Sequence, residues 1–429
     1  MEPLEMAVLA GLTPPDVECA LYDDRIEAIP YDEPTDLVAI SAHTYTARRA
    51  YEISAEFRKR GVPVVMGGFH PTLAPDEAAQ HSDAVYTGDA EFQWADVIED
   101  ARNGELKARY SAPVGAPQVG GVLPRRDLFA DKDYLPIALM QFSRGCRYGC
   151  SFCAIHGFFH HNHSVRPTNE VLAEIEQLDD RVIFFVDDNF LADHEAAKPF
   201  LRELIPLGVR WVSQASIDMA DDPELMDLLE ASGCLGHVVG FESLDPRSLR
   251  EMRKAPNLLR GDWDRYQAQC EILRAHHLQT WAAFVLGCDH DTEQSVRETV
   301  DFAIENKFCF AAFNILMPYP GTPLYDQLAA ENRLLFDGQW WLHPDYRFNH
   351  AAFVPRNMTP DQLTEAAYYC RKKFNTKASI FRRVWDFKTH LSSLTRLGIY
   401  LQYNPLVARE ALLKQGMLFG LSRHLVRPR

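Results

Sequence analysis

Three cysteines within eight residues constrain this 429-residue chain more than any other feature of its sequence. Cys146, Cys150 and Cys153 follow the spacing C-x3-C-x2-C, and the nearest other cysteines are Cys19 and Cys234. Three thiolates supply three corners of a [4Fe-4S] cube and leave the fourth iron without a protein ligand, whereas clusters that only carry electrons usually have four cysteine ligands. The spacing therefore predicts a [4Fe-4S] cluster with one iron open to chemistry.

Two other uses of these cysteines stay open at this point. A structural zinc site needs four Cys or His ligands, and several histidines follow the cysteines closely. They are His156, His160, His161 and His163. A disulfide framework fits less well, because the chain has nine cysteines, an odd number, and no apolar signal segment at its start. We expect the six remaining cysteines to be small buried hydrophobic residues.

The run Cys-x3-Cys-x-aromatic-Cys, with Phe152 as its aromatic residue, resembles the signature of the radical S-adenosylmethionine (SAM) enzymes. The resemblance implies that the amino and carboxylate groups of SAM chelate the open iron. It also implies that one electron from the reduced cluster cleaves SAM to a 5′-deoxyadenosyl radical, which abstracts hydrogen from a substrate. Phe152 would lie near the adenine, and the electron would come from a reducing partner such as flavodoxin or ferredoxin.

The composition and the alternation of apolar runs with helical stretches predict an α/β protein with three domains. Hydrophobic residues make up 47% and charged residues 24% of the chain, which is typical of a soluble globular protein. No stretch reaches the roughly 18 apolar residues of a membrane span. Residues 1–125 are predicted to form a Rossmann-like parallel sheet with strands over 17–22, 37–41, 62–66 and 84–87.

The loops after two of these strands, residues 67–71 and 88–91, resemble loops of the cobalamin-binding domain that precedes the radical domain in a large subgroup of the family. The resemblance implies cobalamin contacts at Gly67, Gly68, Gly88 and Glu91. The subgroup's Asp-x-His-x-x-Gly motif, whose histidine ligates cobalt, would fall near residues 22–27, where no histidine stands. The first strand is also short or missing. A corrinoid bound with its lower face empty and a vestigial domain are both open interpretations.

Residues 126–335 are predicted to form six strands separated by helices, which matches the partial (β/α)6 TIM-type barrel of the resembled family. Functional groups of a barrel lie at the carboxyl ends of its strands. The candidates there are Asp187 and Asp188, Gln214 and Ser216, Glu242 and Ser243, and Gly287 with Asp289. By resemblance, Asp187 and Asp188 occupy the place of the motif for the SAM amino group, and Glu242 and Ser243 the place of the ribose and methionine contacts. Any single acid here is alternatively a helix N-cap.

Residues 336–429 are predicted to form a helical extension, which opens with a capping box at Thr359, Pro360 and Gln362. From Arg371 onward the chain carries a charge of +11, whereas the first 370 residues carry −27. The acidic body argues against nucleic-acid binding. The basic, apolar tail fits either an amphipathic surface on anionic lipid or a helical cap docked on the acidic body.

Three functional hypotheses follow. The whole chain resembles cobalamin-type radical enzymes that include hopanoid methylases, which implies C-methylation of a hydrophobic lipid or natural product; this is the function we expect. A second hypothesis is cobalamin-independent radical oxidation, rearrangement or C–C bond formation. A third is a non-enzymatic iron-sulfur or zinc protein, which would need a fourth ligand. We expect a cytoplasmic protein, peripheral at the membrane surface if the tail binds lipid.

Overall fold

The computed structural model describes residues 1–113, 117–178, 182–258 and 263–416. Two parallel sheets, one of four strands and one of six, form the framework of these residues. The predicted α/β class and the helical C-terminal extension are confirmed. The predicted domain boundaries near residues 125 and 335 stay predictions.

The smaller sheet lies in the N-terminal part and has the strand order β1-β2-β3-β4, all parallel. Residues of β2 alternate between two faces: Val64 and Met66 pack with the helix before β2, and Val65 packs with the helix after β3. The elements are α1 (Leu4–Leu12), β1 (Val38–Ser41), α2 (Ala47–Lys59), β2 (Val64–Gly67), α3 (Phe69–Leu73), α4 (Pro75–Ala78), β3 (Ala84–Thr87), α5 (Trp94–Asn103) and β4 (Arg109–Ser111).

The strand predicted over residues 17–22 is wrong. Val17 packs against the core of the smaller sheet and Leu21 is buried, but the stretch is irregular and pairs with none of the described strands. Its apolar residues are buried by packing without strand pairing. The fourth strand is instead β4, in which only Tyr110 is buried between two exposed residues.

The larger sheet has the order β12-β11-β10-β9-β8-β5, all parallel, which confirms the six predicted strands of a partial barrel. A small antiparallel ribbon, β6 with β7, flanks the cysteine loop. Arg181, the predicted start of the second barrel strand, lies outside the described residues. The elements are β5 (Ile137–Met140), β6 (Ser143–Gly145), α6 (Ala154–Phe159), β7 (His163–Val165), α7 (Thr168–Ile175), β8 (Val182–Phe185), α8 (His194–Leu204), β9 (Trp211–Ala215), α9 (Pro223–Ala231), β10 (Cys234–Glu242), α10 (Pro246–Glu251), α11 (Ala255–Leu258), α12 (Trp263–Ala275), β11 (Gln279–Leu286), α13 (Glu293–Glu305), β12 (Phe310–Ile315) and α14 (Pro323–Ala330).

Aromatic side chains hold the barrel strands in register. Phe241, Phe284 and Phe313 come from three neighbouring strands, and their rings stack at 5.8 Å and 5.5 Å between centroids. All three are almost completely buried. Because the strands are parallel and in fixed register, their carboxyl ends open on one mouth.

Three helices complete the C-terminal part: α15 (Pro360–Phe374), α16 (Lys377–Val384) and α17 (Leu394–Leu413). The predicted capping box is present, with Gln362 N–H donating to Thr359 Oγ1 and Thr359 N–H donating to Gln362 Oε1. These helices cover the free edge of β12, since Arg371 donates to the Phe313 carbonyl in the strand and Arg383 donates to the Phe308 and Cys309 carbonyls just before it. Among the described residues, no helix has the length and apolar character needed to cross a membrane.

Candidate active site

The cysteine loop lies between β6 and α6 and is fixed by backbone hydrogen bonds to distant elements. Ser151 N–H donates to the Met252 carbonyl at the end of α10, and Leu324 N–H at the start of α14 donates to the Ser151 carbonyl, both over 3.0 Å. Cys153 N–H donates to the Cys150 carbonyl over 3.1 Å. Backbone hydrogen bonds within the protein therefore fix the conformation of the cysteine loop.

The three thiols interact electrostatically with one another, and burial raises the pKa of each, for Cys150 to about 12. Donors around the loop oppose this effect. The Tyr148 backbone N–H donates to Cys146, and backbone N–H groups at the start of α6 donate to Cys153. Such donors favour thiolates, the form that binds metal, so the loop fits an iron-sulfur cluster.

In the ranges that the structure describes, no three His, Cys, Asp or Glu side chains meet as they would around a single metal ion. The histidines that follow the cysteine loop are included in these ranges. A [4Fe-4S] cube takes each thiolate at a different iron, so its ligands stand further apart than those of one ion.

A buried ion pair lies beside the cysteines. Lys254 donates to Glu242 Oε1 over 2.7 Å, and both side chains are largely buried. Burial opposes the charge of Lys254, but Glu242 and Cys150 outweigh burial and hold the pKa of Lys254 above its ordinary value. Lys254 was not predicted as a site residue, because it lies between two short helices in no recognisable motif. Lys254 places a positive charge near the thiols of the cysteine loop.

Glu242 owes its position to an irregularity in β10. The register of β10 with β11 shifts between Gly240 and Glu242, and Glu242 has a φ of +62°. A β-bulge of this kind redirects a side chain. The carboxylate consequently faces Lys254 at the mouth of the barrel.

The two acids after β8 support the cysteine loop. Asp187 accepts hydrogen bonds from Phe142 N–H (3.2 Å), Ser143 Oγ (2.6 Å) and Ser143 N–H. Burial raises the pKa of Asp187 to about 7. Asp188 accepts from Gly145 N–H over 2.8 Å, and burial raises its pKa to about 6. The Asp187 carboxylate is thus engaged in hydrogen bonds to Phe142 and Ser143. Asp188 is the more exposed of the two and accepts one hydrogen bond, from Gly145.

The amide and hydroxyl candidates link neighbouring strand ends. Gln214 Nε2 donates to the Asp187 carbonyl over 3.2 Å, and Ser216 Oγ accepts from Asn189 Nδ2 over 2.9 Å. Ser243 Oγ accepts from Asp245 N–H over 3.1 Å. These contacts position the strand ends, and the predicted contacts of Gln214, Ser216 and Ser243 with SAM stay predictions.

Two further candidates differ in their surroundings. Phe152 is half-buried and packs against the barrel core. Asp289 pairs with Arg333 at 2.7 Å and with Arg356 at 2.6 Å, and this pairing lowers its pKa although burial acts in the opposite direction. Its carboxylate therefore belongs to an ion-pair network at the β11 end.

Gly67, Gly68 and Gly88 lie at the carboxyl edge of the smaller sheet. Gly68 has a φ of +97°, and a Cβ there would lie 3.0 Å from both the Ala42 carbonyl oxygen and Ser41 Oγ. Gly88 also has positive φ, and its N–H donates to Thr72 Oγ1 over 3.0 Å. Glycine is thus required where the loops after β1 and β2 approach each other.

The same edge meets the cysteine loop of the barrel. The rings of Phe69, at the start of α3, and Phe158, in α6, lie 4.9 Å apart. Arg144 in β6 forms ion pairs with Glu91 at 2.8 Å and Asp89 at 3.2 Å. Glu91, predicted as a cobalamin contact, is therefore paired with β6, which precedes the cysteine loop. The carboxyl edge of the smaller sheet thus contacts the elements on both sides of this loop, β6 and α6.

Aromatic residues from three parts of the chain form a wall beside this site. Tyr45, in the loop after β1, lies 5.9 Å from Tyr319 and 5.0 Å from Trp340, measured between ring centroids. Tyr319 interacts electrostatically with Cys153. The loop that carries Trp340 thus contacts both the N-terminal part and the turn after β12.

Residues 140–303 match the family model of the radical SAM superfamily. This part of the chain is a radical SAM domain. The matched residues contain the cysteine loop and the barrel strands from β8 to β11. Radical SAM enzymes use a [4Fe-4S] cluster and SAM, so the predicted enzyme class and these two cofactors are confirmed.

Two curated proteins are similar to this radical SAM chain over most of their length. The bacteriochlorophyllide d C-12(1)-methyltransferase of Chlorobaculum tepidum is 29% identical over 89% of this chain and 84% of its own. The hopanoid C-2 methylase of Rhodopseudomonas palustris is 23% identical over 97% of this chain and 79% of its own.

A solved structure shares the fold of the radical SAM chain. The methyltransferase TsrM of Kitasatospora setae, with cobalamin and a [4Fe-4S] cluster bound, superposes with a TM-score of 0.63. The two proteins are 16% identical, and the superposition covers 89% of each chain.

Proposed function

We propose that this radical SAM enzyme is a cobalamin-dependent C-methyltransferase that acts on a large hydrophobic substrate. The observation that carries the proposal is the contact between Phe69 and Phe158, at 4.9 Å between ring centroids. It brings the glycine edge of the smaller sheet directly against the helix that follows the cysteines. A ligand held on that edge would face the cluster.

Residues of the barrel would hold the cluster and SAM. Cys146, Cys150 and Cys153 would ligate three irons, and the SAM amino group would meet Asp188, the less engaged of the two acids after β8. Glu242 would accept from SAM hydroxyls or ammonium while Lys254 fixes its carboxylate. When bound, the reduced cluster supplies the electron that cleaves SAM.

The smaller sheet fits a corrinoid at its carboxyl edge. Gly68 and Gly88 leave room where side chains would intrude, and ligands bind outside the carboxyl ends of strands in such sheets. His70 is fully buried, with its Nε2 within 3.0 Å of Tyr51 and 2.9 Å of Glu77, so it is no cobalt ligand. Exposed His43 lies in the loop after β1 and stacks on Phe69. Cobalamin, when bound, carries the methyl group.

The curated relatives support methyl transfer to a hydrophobic molecule, since two of them are named for a bacteriochlorophyllide and a hopanoid. Another relative is named an anaerobic magnesium-protoporphyrin IX monomethyl ester cyclase, from Cereibacter sphaeroides, and is 23% identical over 82% of this chain. It supports the second candidate, a radical reaction in which no methyl group is transferred.

The coproducts of SAM separate the two candidates. Donation of the methyl group leaves S-adenosylhomocysteine, whereas reductive cleavage leaves 5′-deoxyadenosine and methionine. We expect enzyme reconstituted with cluster and hydroxocobalamin, then given SAM and dithionite, to form both nucleosides. Enzyme without cobalamin should form only 5′-deoxyadenosine. Formation of 5′-deoxyadenosine alone in both preparations would reject methyl transfer, and Cys150→Ala, which removes a predicted ligand, should form neither.

Two partners belong to this proposal. The electron would come from a small reducing protein such as flavodoxin or ferredoxin. The C-terminal helices would contact an anionic membrane surface, where a hydrophobic substrate collects. Phe381, Trp385 and Phe387 expose 65%, 50% and 74% of their surface and lie in one cluster, within the segment of net positive charge. This combination is typical of peripheral lipid contact.

A further inference from the structure

Arg371 is a buried cation whose hydrogen-bonding capacity the described residues leave incomplete. It lies on α15 and is only 5% exposed. Its Nε donates to the Phe313 carbonyl over 3.0 Å, and its Nη1 donates to Gln415 Oε1 over 2.5 Å. Its Nη2 is buried and has no hydrogen-bond partner among the described residues. Arg371 also forms no ion pair with any of them, so within this part of the chain its charge is uncompensated.

Arg383 shows what a purely structural arginine at this strand looks like. It lies over the Phe374 ring at 3.8 Å and donates to five oxygens, including the Phe308 and Cys309 carbonyls of the β12 edge. Every guanidinium nitrogen of Arg383 therefore has a hydrogen-bond acceptor. A purely structural role beside β12 does not explain why Nη2 of Arg371 has no acceptor among the described residues.

The surroundings of Arg371 connect it to the active site. It interacts electrostatically with the hydroxyls of Tyr45 and Tyr346. Tyr45 contacts Tyr319, and Tyr319 in turn interacts with Cys153 of the cysteine loop. Burial lowers the pKa of Arg371 to about 10. An aromatic wall thus leads from the cysteine loop to a cation that has no anionic partner in the described part of the chain.

We propose that Arg371 binds a carboxylate of the substrate, so that the substrate is a large aromatic or polycyclic molecule with an acidic substituent. The guanidinium fork matches a carboxylate, which would accept from Nη2 and replace the neutral Gln415 oxygen at Nη1. The rings of Tyr45, Tyr319 and Trp340 would pack on the apolar part. The inference rests on the proposed function, because it places the substrate of that reaction at this mouth.

A matched pair of ligands tests the inference. The probes are a chlorin monocarboxylic acid and its methyl ester, titrated into enzyme that carries cluster, cobalamin and SAM. Binding is read from quenching of tryptophan fluorescence. We expect wild-type enzyme to bind the acid about tenfold or more tightly than the ester, as loss of a charge-assisted hydrogen bond implies. Equal affinity for acid and ester, or no binding of the acid, would overturn the assignment.

Variants locate the preference. Arg371→Gln should lower the affinity for the acid to that for the ester, whereas Arg383→Gln, which alters a buried arginine of the same strand edge, should keep the preference. A preference retained in Arg371→Gln would overturn the assignment. The comparison of acid with ester uses wild-type enzyme, so it remains informative even if a variant misfolds. Formation of S-adenosylhomocysteine in the same preparation reports separately on methyl transfer.

Discussion

Lys254 and Glu242 form an ion pair of 2.7 Å directly beside the cysteine loop, and their side chains are only 13% and 9% exposed. Lys254 also interacts electrostatically with Cys150 and Cys153. A buried cation so close to three thiolates offsets part of their negative charge, and removing one partner of a buried pair is costly. The pair therefore links the fourth barrel strand to the properties of the cluster.

Replacing Lys254 by Gln should lower the reduction potential of the cluster by tens of millivolts, because a positive charge near the cluster favours the reduced state. For a one-electron couple, about 59 mV corresponds to a tenfold change in the equilibrium constant. The potential is measured by redox titration followed by electron paramagnetic resonance. Lys198→Gln is the control, since Lys198 pairs with acids on the outer helices. An unchanged potential in Lys254→Gln would contradict the assigned role.

Gly68→Ala should reduce the amount of cobalamin that stays bound, because the added methyl group would crowd Ala42 and Ser41 at 3.0 Å. Gly61→Ala is a matched control: its φ of +78° is also positive, but nothing lies within 4 Å of the added carbon. Both variants should lose about 1 kcal/mol from backbone strain. Only Gly68→Ala should lose cobalamin, measured by absorbance after desalting. Equal cobalamin content would place the corrinoid elsewhere.

Asp291 should make the stability of the protein depend on pH. Burial raises its pKa from 3.8 to about 6, although the Gly287 and Cys288 N–H groups donate to it. Because the folded state holds the proton more tightly, this stabilisation is present below about pH 4 and is lost as the pH rises through 6. Asp291→Asn keeps an acceptor and does not titrate.

Urea unfolding followed by circular dichroism checks this prediction. Between pH 4 and pH 7 the wild-type protein should lose about 2 kcal/mol relative to Asp291→Asn, and above pH 7 the difference should stay constant. A difference that is independent of pH over this range would show that Asp291 has an ordinary pKa.

The exposed aromatic cluster of α16 and its C-terminal loop should govern membrane binding. Replacing Phe381, Trp385 and Phe387 together by Ser removes a large apolar surface, so co-sedimentation with phosphatidylglycerol vesicles should fall about tenfold. The control is the double variant Ile205→Ser and Leu207→Ser, which removes exposed apolar side chains between α8 and β9. Vesicle binding that is unaffected by the triple variant would remove the proposed membrane contact.

Local patterns predicted much of this molecule. The cysteine spacing, the buried strand runs of the barrel and the capping box at Thr359 each reflect interactions between residues close in sequence. The strand expected over residues 17–22 failed because a short apolar run indicates burial and does not indicate strand pairing. β4 was not predicted, because a three-residue strand with one buried residue has almost no hydrophobic pattern.

The site residues that were missed depend on contacts between distant segments. Lys254 faces Glu242 only because a bulge turns the carboxylate, and a bulge leaves no clear mark in a single sequence. Arg371 looked like one basic residue among 13 in the tail, and its burial follows from packing against β12. Asp187 was predicted from sequence; its full burial and its hydrogen bond from Ser143 were not, and its contact with SAM stays a prediction.

The cobalamin content of reconstituted enzyme shows whether the chain is a cobalamin-dependent methyltransferase. The chain is reconstituted anaerobically with iron, sulfide and hydroxocobalamin and desalted, and its iron and corrinoid are then measured. The account predicts four irons and one corrinoid per chain, with a visible corrinoid spectrum that survives desalting at micromolar protein. A preparation that keeps its cluster and cleaves SAM but retains no corrinoid would contradict cobalamin-dependent methyl transfer.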